Sequence, residues 1–211
     1  MNRRAFGRAI LGGLALGAGA TLVRSAAADP LTPSEKEALG RGETVRRPVD
    51  ADLEEGTYIG GVSYAVVGAP EAFVLAMLHE VATYRSILAL TLEVTDLGEK
   101  GGDKLVYFKH GGSLGTAGYT MRIQKADRGG VIRFWMDPTF DHEIDDIWGF
   151  VRVEALGPAS CLATYAVLCD LGGLFRVLFG ERIRKHALDT PGHLRRVAEG
   201  DYATALHLTD R

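Results

Sequence analysis

The hydrophobic period of this chain changes twice along its length, which leaves few folds open to it. Residues 57–67 are rich in Tyr, Val and Ile and read as a strand that stops at Gly68-Ala69-Pro70. Pro70-Glu71 then opens a segment in which Phe73, Val74, Met77, Leu78 and Val81 recur every three or four residues, which predicts a helix, with a second short one over 83–88. From residue 90 the period falls to two. Six candidate strands follow, 90–97, 104–110, 116–125, 131–136, 147–155 and 160–171, parted by turn signals such as Gly101-Gly102, Gly129-Gly130 and Gly157-Pro158. Consecutive strands with short turns imply an antiparallel meander. After Gly172-Gly173 the helical period returns, with Leu174, Phe175, Leu178, Phe179, Ile183 and Ala187 on one stripe. Pro191 is expected to kink this helix, and Leu194 and Val197 continue the stripe beyond it. Upstream, Thr32-Pro33-Ser34-Glu35 looks like a helix start, and a linker is expected to join that short helix to the first strand.

Charge is divided as unevenly as pattern. Residues 1–28 hold Arg3, Arg4, Arg8 and Arg24 and no acid, and removing these four from the 24 basic residues leaves 20 against 27 acids. So acidic a remainder excludes whole-molecule attraction to phosphate backbones, and nucleic acid is not an expected partner. The basic opening, the uncharged run 9–23 and Ser25-Ala26-Ala27-Ala28 have the layout of an export signal cleaved after Ala28. Arg3-Arg4 with Phe6 looks like a bacterial twin-arginine (Tat) signal, although Gly7 stands where a leucine is usual, so the Sec route stays open. The expected address is the periplasm of a Gram-negative bacterium. Export invites disulfides, yet Cys161 and Cys169 lie eight residues apart in one expected strand, about 26 Å along it. A bridge needs Cα atoms within about 7 Å, so two buried, unpaired thiols are expected.

One strand, two short helices, six strands and one long helix is an informative order. Together with the Gly68-Ala69-Pro70-Glu71 entry into the helix and with Trp148-Gly149-Phe150-Val151-Arg152-Val153 before Thr164-Tyr165, it resembles the START-like, helix-grip superfamily, also called SRPBCC. That superfamily includes polyketide cyclases, coenzyme Q-binding proteins and lipid-transfer domains. The resemblance covers about 57–197 and implies an α+β helix-grip fold: a curved seven-stranded antiparallel sheet wrapped around a long C-terminal helix, with a cavity for an apolar ligand between them. The expected organisation is an export signal over 1–28, a short helix and linker over 29–56, a ligand-binding domain over 57–198 and a tail over 199–211.

Strand parity nominates the lining of such a cavity, because residues two apart share a face. Taking polar side chains as outward, the interior receives Leu92, Val94, Phe108, Tyr119, Met121, Phe134, Met136, Val151 and Val153, with Phe175 and Phe179 from the helix. His110 shares the face of Phe108 and could anchor a polar group of a ligand. The same residues could equally fill a solid core. The last strand is apolar on both faces, with Cys161, Ala163, Tyr165 and Val167 on one and Leu162, Ala166 and Leu168 on the other. Either segment 29–55 or another subunit, as in a homodimer, must cover its outer face.

Two motifs imitate chemistry. Gly111-Gly112-Ser113-Leu114-Gly115 matches G-x-S-x-G, but a nucleophile elbow needs a helix after it, and here a strand pattern follows. The stretch 137–146 holds five acids and His142, yet an EF-hand counted from Asp141 puts Asp146 where Gly is needed and Arg152 where Glu is needed. A solvated acidic loop at the cavity mouth accounts for it better. No catalytic residue, metal ligand or cofactor is assigned. Arg176, Arg182, Arg184, Lys185, Arg195 and Arg196 could meet a membrane surface transiently during ligand exchange. The sequence therefore points to an exported START-like protein that binds or carries a lipid, isoprenoid or polyketide-like molecule. Its rivals are a polyketide cyclase or dehydratase and an envelope adaptor without ligand.

Overall fold

The computed structural model describes residues 29–53, 56–112 and 115–209, without the side chains of residues 174, 175, 178, 208 and 209. The export signal expected over 1–28 lies outside the described residues, as does Ser113. The first element, α1 (Pro33–Gly40), is set by a capping box at Thr32: its Oγ1 accepts from the Glu35 amide at 3.3 Å and Glu35 Oε2 accepts from the Thr32 amide at 2.8 Å.

The expected linker contains a strand. β1 (Val45–Leu53) pairs antiparallel with β2 (Gly56–Val67), so the sheet has eight strands rather than seven. Four charged residues, Arg46, Arg47, Asp50 and Asp52, and Pro48 hide it from a pattern search. The structure accommodates Pro48 because β1 is an edge strand, where a missing N–H need not break the ladder. Next come α2 (Glu71–His79), a single 3-10 turn and α3 (Tyr84–Ile87). The meander is β3 (Thr91–Lys100), β4 (Asp103–Gly112), β5 (Gly115–Ile123), β6 (Val131–Met136), β7 (Asp146–Gly157) and β8 (Ser160–Asp170). The sheet order is β1-β2-β8-β7-β6-β5-β4-β3 with every pairing antiparallel, so β8 returns to lie beside β2.

The C-terminal helix is two helices, α4 (Gly173–Leu188) and α5 (Thr190–Thr209), broken at Asp189 just before Pro191. Residues 199–209, expected as a tail, are the end of α5. They are held by Glu199, which accepts from the Gly68 amide at 2.8 Å, and by Tyr202, whose ring lies 5.2 Å from that of Phe73.

Two apolar layers result. On the concave side, Val106, Phe108, Ile132, Val153 and Val167 are buried beneath α2, α3 and α5, where Val74, Leu78, Ile87 and Leu194 meet them. On the convex side Leu39, Val45, Tyr64, Trp148 and Leu168 form a second cluster. The outer face of β8 is therefore covered by the chain's own N-terminal segment. Arg47 pins this cover, donating to both carboxylate oxygens of Glu35 at 2.8 and 2.7 Å, and the pair holds Glu35 down to about 2. Both cysteines are buried and free, as the length of β8 between them requires. No helix among the described residues is long and apolar enough to cross a membrane.

Candidate functional site

The concave core does not close completely. A cavity of about 160 Å³ lies between the sheet and the helices, and a smaller one of about 40 Å³ adjoins it, sharing Leu88, Met121, Tyr165 and Thr190 as lining. The larger is walled by β2 and β8 (Ile59, Tyr165, Val167, Cys169), the β4–β5 hairpin (His110, Tyr119), the loop after α3 (Leu88 to Leu90) and the inner side of α4 (Ile183, Arg184, Ala187). Its lining is mostly apolar. Leu90, on this wall, holds φ at 61°, a left-handed conformation uncommon for a residue with a Cβ, and its carbonyl accepts from the Gly111 amide at 2.9 Å.

The sequence nominated this region unevenly. His110, Tyr119 and Met121 line the larger cavity, and Met121, Phe134 and Val151 line the smaller. Phe108, Met136 and Val153 are solid core and Val94 packs against it, while half-buried Phe179 lines neither cavity. The Phe175 side chain lies outside the described residues. Leu92 is a correction: it is 46% exposed. The ladder pairs Thr91 with His110 but Glu93 with Lys109, so Leu92 is the extra residue of a bulge. Parity therefore inverts there, turning Thr91 and Val94 inward and Leu92 outward.

That bulge positions His110. The Thr91 hydroxyl lies 2.8 Å from the Leu88 carbonyl, which can only accept, so its proton goes there, and its oxygen is left to accept from His110 Nδ1 at 3.2 Å. This network assigns the imidazole proton to Nδ1 and a lone pair to Nε2, which is sealed from solvent without a hydrogen-bond partner among the described residues. Burial holds His110 down to about 4, against the opposing pull of the Ala89 carbonyl, so the ring is neutral at ordinary pH. The ring stacks on both its aromatic neighbours, 5.8 Å from Phe108 at 9° and 5.5 Å from Tyr119 at 18°. Together they make a flat aromatic wall.

Tyr119 is buried in this wall, and burial, with Cys169 and Tyr165 adding, pushes its hydroxyl well above the usual tyrosine range. Tyr119 lines the larger cavity, and its hydroxyl is not one of the sealed, unpartnered atoms of the interior. Burial also raises Tyr165 and Cys169 far above their ordinary values, so both stay protonated at ordinary pH. Four buried side-chain polar atoms among the described residues lack a partner, and three of them, His110 Nε2, Arg184 Nε and Thr190 Oγ1, belong to residues lining this one cavity. Arg184 is the single member of the basic helix edge seen on that wall, and its terminal nitrogens reach out to Asp50, at 2.9 Å, and to Glu181.

The motifs that imitate chemistry resolve simply. Gly112 and Gly115 face each other at the end of the β4–β5 ladder, so the residues after the G-x-S-x-G run on as a strand. In the acidic stretch, Asp137 is tied to Arg122 at 2.9 Å, Glu143 accepts from the Gly118 amide at 2.7 Å and Asp146 accepts from Tyr58 at 2.8 Å. These carboxylates serve separate partners, and no group of three His, Cys, Asp or Glu that could hold a metal occurs among the described residues. Sequence reasoning missed the β8 contribution of Tyr165, Val167 and Cys169. Their shared parity was visible, and only the question of which face was concave kept them off the lining.

An eight-stranded sheet gripping C-terminal helices over an interior cavity defines the helix-grip class of α+β fold. Solved structures of the START-like superfamily share it. The chain is similar to the Zhui aromatase/cyclase of Streptomyces sp. R1128, with a TM-score of 0.56 at 16% identity over 74% of this chain and 94% of that one. It is similar to a STAR-related lipid transfer protein of Xanthomonas axonopodis, with a TM-score of 0.56 at 12% identity over 72% and 98%. A START superfamily protein of Mycobacterium smegmatis gives 0.53 at 12% identity over 68% and 97%. No family model and no curated protein matches the chain. At these identities the likeness is one of fold.

Proposed function

We propose that this protein binds and carries a hydrophobic small molecule, of lipid, isoprenoid or polyketide-like character, in the cavity between sheet and helices. The observation that carries the reading is the cavity itself: a dense core tolerates few voids larger than a water molecule, and this one is walled by aliphatic and aromatic side chains from four separate parts of the chain. Removing apolar ligand surface from water supplies about 25 cal/mol per Å² of driving force. A carrier is favoured over a cyclase or dehydratase by His110. A general acid or base works best near the operating pH, and a histidine that burial holds down to about 4 is a hydrogen-bonding group rather than a proton shuttle. The fold neighbours named for lipid transfer and for aromatase/cyclase activity both support a cavity-centred function.

The export-signal layout of residues 1–28 supports a periplasmic site of action, and exposed Arg182 and Lys185 on α4 support brief contact with an anionic membrane surface during exchange. The testing experiment is native mass spectrometry of the protein purified from its own cells, followed by organic extraction. A co-purifying apolar molecule is the expected result. An empty protein that also fails to bind any apolar probe overturns the reading.

A further inference from the structure

The cavity has a size and a polarity that narrow its ligand, an inference that rests on the apolar-ligand reading and refines it. Its volume of about 160 Å³ is close to the ~150 Å³ of an apolar protein cavity that accepts benzene, and well under the ~300 Å³ at which pockets for drug-sized ligands begin. A long acyl chain does not fit such a space; one ring does. The aromatic wall of His110 and Tyr119, near-parallel at 18°, offers a planar ring a flat partner.

The polar atoms add a second criterion. Tyr119, kept protonated by burial, lines the cavity and brings a hydroxyl donor to it. His110, with its proton on Nδ1 toward Thr91, has a lone pair on Nε2 that is buried without a partner among the described residues. An unpaired buried polar atom costs about 1–3 kcal/mol, and a fold that gathers several at one cavity recovers that cost when a ligand pairs them. One functional group satisfies both: a hydroxyl, which accepts from the tyrosine O–H and donates to the imidazole nitrogen. We infer that the cavity takes a small, ring-sized molecule bearing a hydroxyl, held between Tyr119 as donor and His110 Nε2 as acceptor, with a slight turn of the imidazole bringing Nε2 to the ligand.

Calorimetric titration of the mature chain with 4-methylphenol, toluene and 4-methylanisole tests this, because the three share a ring and differ in whether the substituent donates, is absent or only accepts. The wild type is expected to bind 4-methylphenol about tenfold or more tighter than either of the others. Tyr119→Phe and His110→Phe are each expected to cut that preference while still binding toluene, which also certifies that the variants are folded. Equal affinity for 4-methylphenol and toluene, or a preference that survives both substitutions, overturns the inference. Binding of long-chain fatty acids with no binding of the three ring probes likewise overturns it while leaving the apolar-ligand reading standing; no apolar binding of any kind removes both.

Discussion

Replacing His110 by phenylalanine should make this protein more resistant to acid. His110 sits between Phe108 and Tyr119, so a phenyl ring continues the stack. The substitution deletes the hydrogen bond to Thr91, worth about 1 kcal/mol, and also deletes the unpartnered Nε2, which costs about 1–3 kcal/mol. At pH 7.5 the two effects largely cancel and the variant should lie within about 1 kcal/mol of wild type. Acid separates them. Because the folded state holds His110 near 4, below its ordinary 6.5, the unfolded chain takes up the proton first as pH falls. Stability contributed by the neutral ring is intact above 6.5 and is lost as pH falls toward 4. By pH 4.5 the wild type forgoes about 2.5 kcal/mol through this one group, a loss the phenylalanine variant does not share. Urea unfolding followed by far-ultraviolet circular dichroism at pH 7.5 and 4.5 measures it: near-equal stabilities at the first pH and an advantage of about 2 kcal/mol to the variant at the second. If both proteins lose the same stability between the two pH values, the neutral, sealed histidine is wrong.

Four further outcomes follow from the same structure. Asp137, 1% exposed, is held at about 2: burial alone would raise it, but Thr139 at 2.7 Å and Arg122 at 2.9 Å outweigh that. Asp137→Asn should therefore cost about 2 kcal/mol in urea unfolding at pH 7, a difference that shrinks as pH falls through 3.8 toward 2. Glu35→Ala removes both the side-chain half of the capping box and the Arg47 pair, so hydrogen exchange should quicken in α1 and β1 while β4 and β5 keep their protection. Gly149→Ala places a Cβ about 2.1 Å from the Ala166 carbonyl and 2.6 Å from the Phe134 ring, and the melting temperature should fall by several degrees or the variant should fail to fold. Cys161, pushed up to about 11, and Cys169, pushed further, should resist a thiol reagent in the native protein, react as two equivalents in denaturant and show no bridge by mass.

Much of the architecture was written in periodicity. The six-strand meander, α2 and the entry at Gly68-Ala69-Pro70 carry strong local patterns, and β6 emerged with its bounds unchanged at Val131–Met136. What escaped was set by tertiary context. β1 is strand only because β2 pairs with it: half its side chains face solvent and Pro48 would disqualify it anywhere but an edge. Residues 199–209 are helix because Tyr202 and Glu199 find Phe73 and Gly68 across the fold. At the site, parity located His110, Tyr119 and Met121 but failed at Leu92, since that residue is the extra one of a bulge and no local signal announces it. The division between solid core and cavity wall, Phe108 against Tyr119 on paired positions of β4 and β5, depends on how far α4 stands from the sheet. No spacing in the sequence encodes that distance.

Crystallography under xenon pressure shows whether the space beside Tyr119, Ile147 and Val167 is a dry apolar binding cavity. A xenon atom inside that wall, displaced when crystals are soaked with 4-methylphenol, is the expected outcome. A cavity filled by a hydrogen-bonded chain of ordered waters that neither xenon nor the phenol displaces would contradict it.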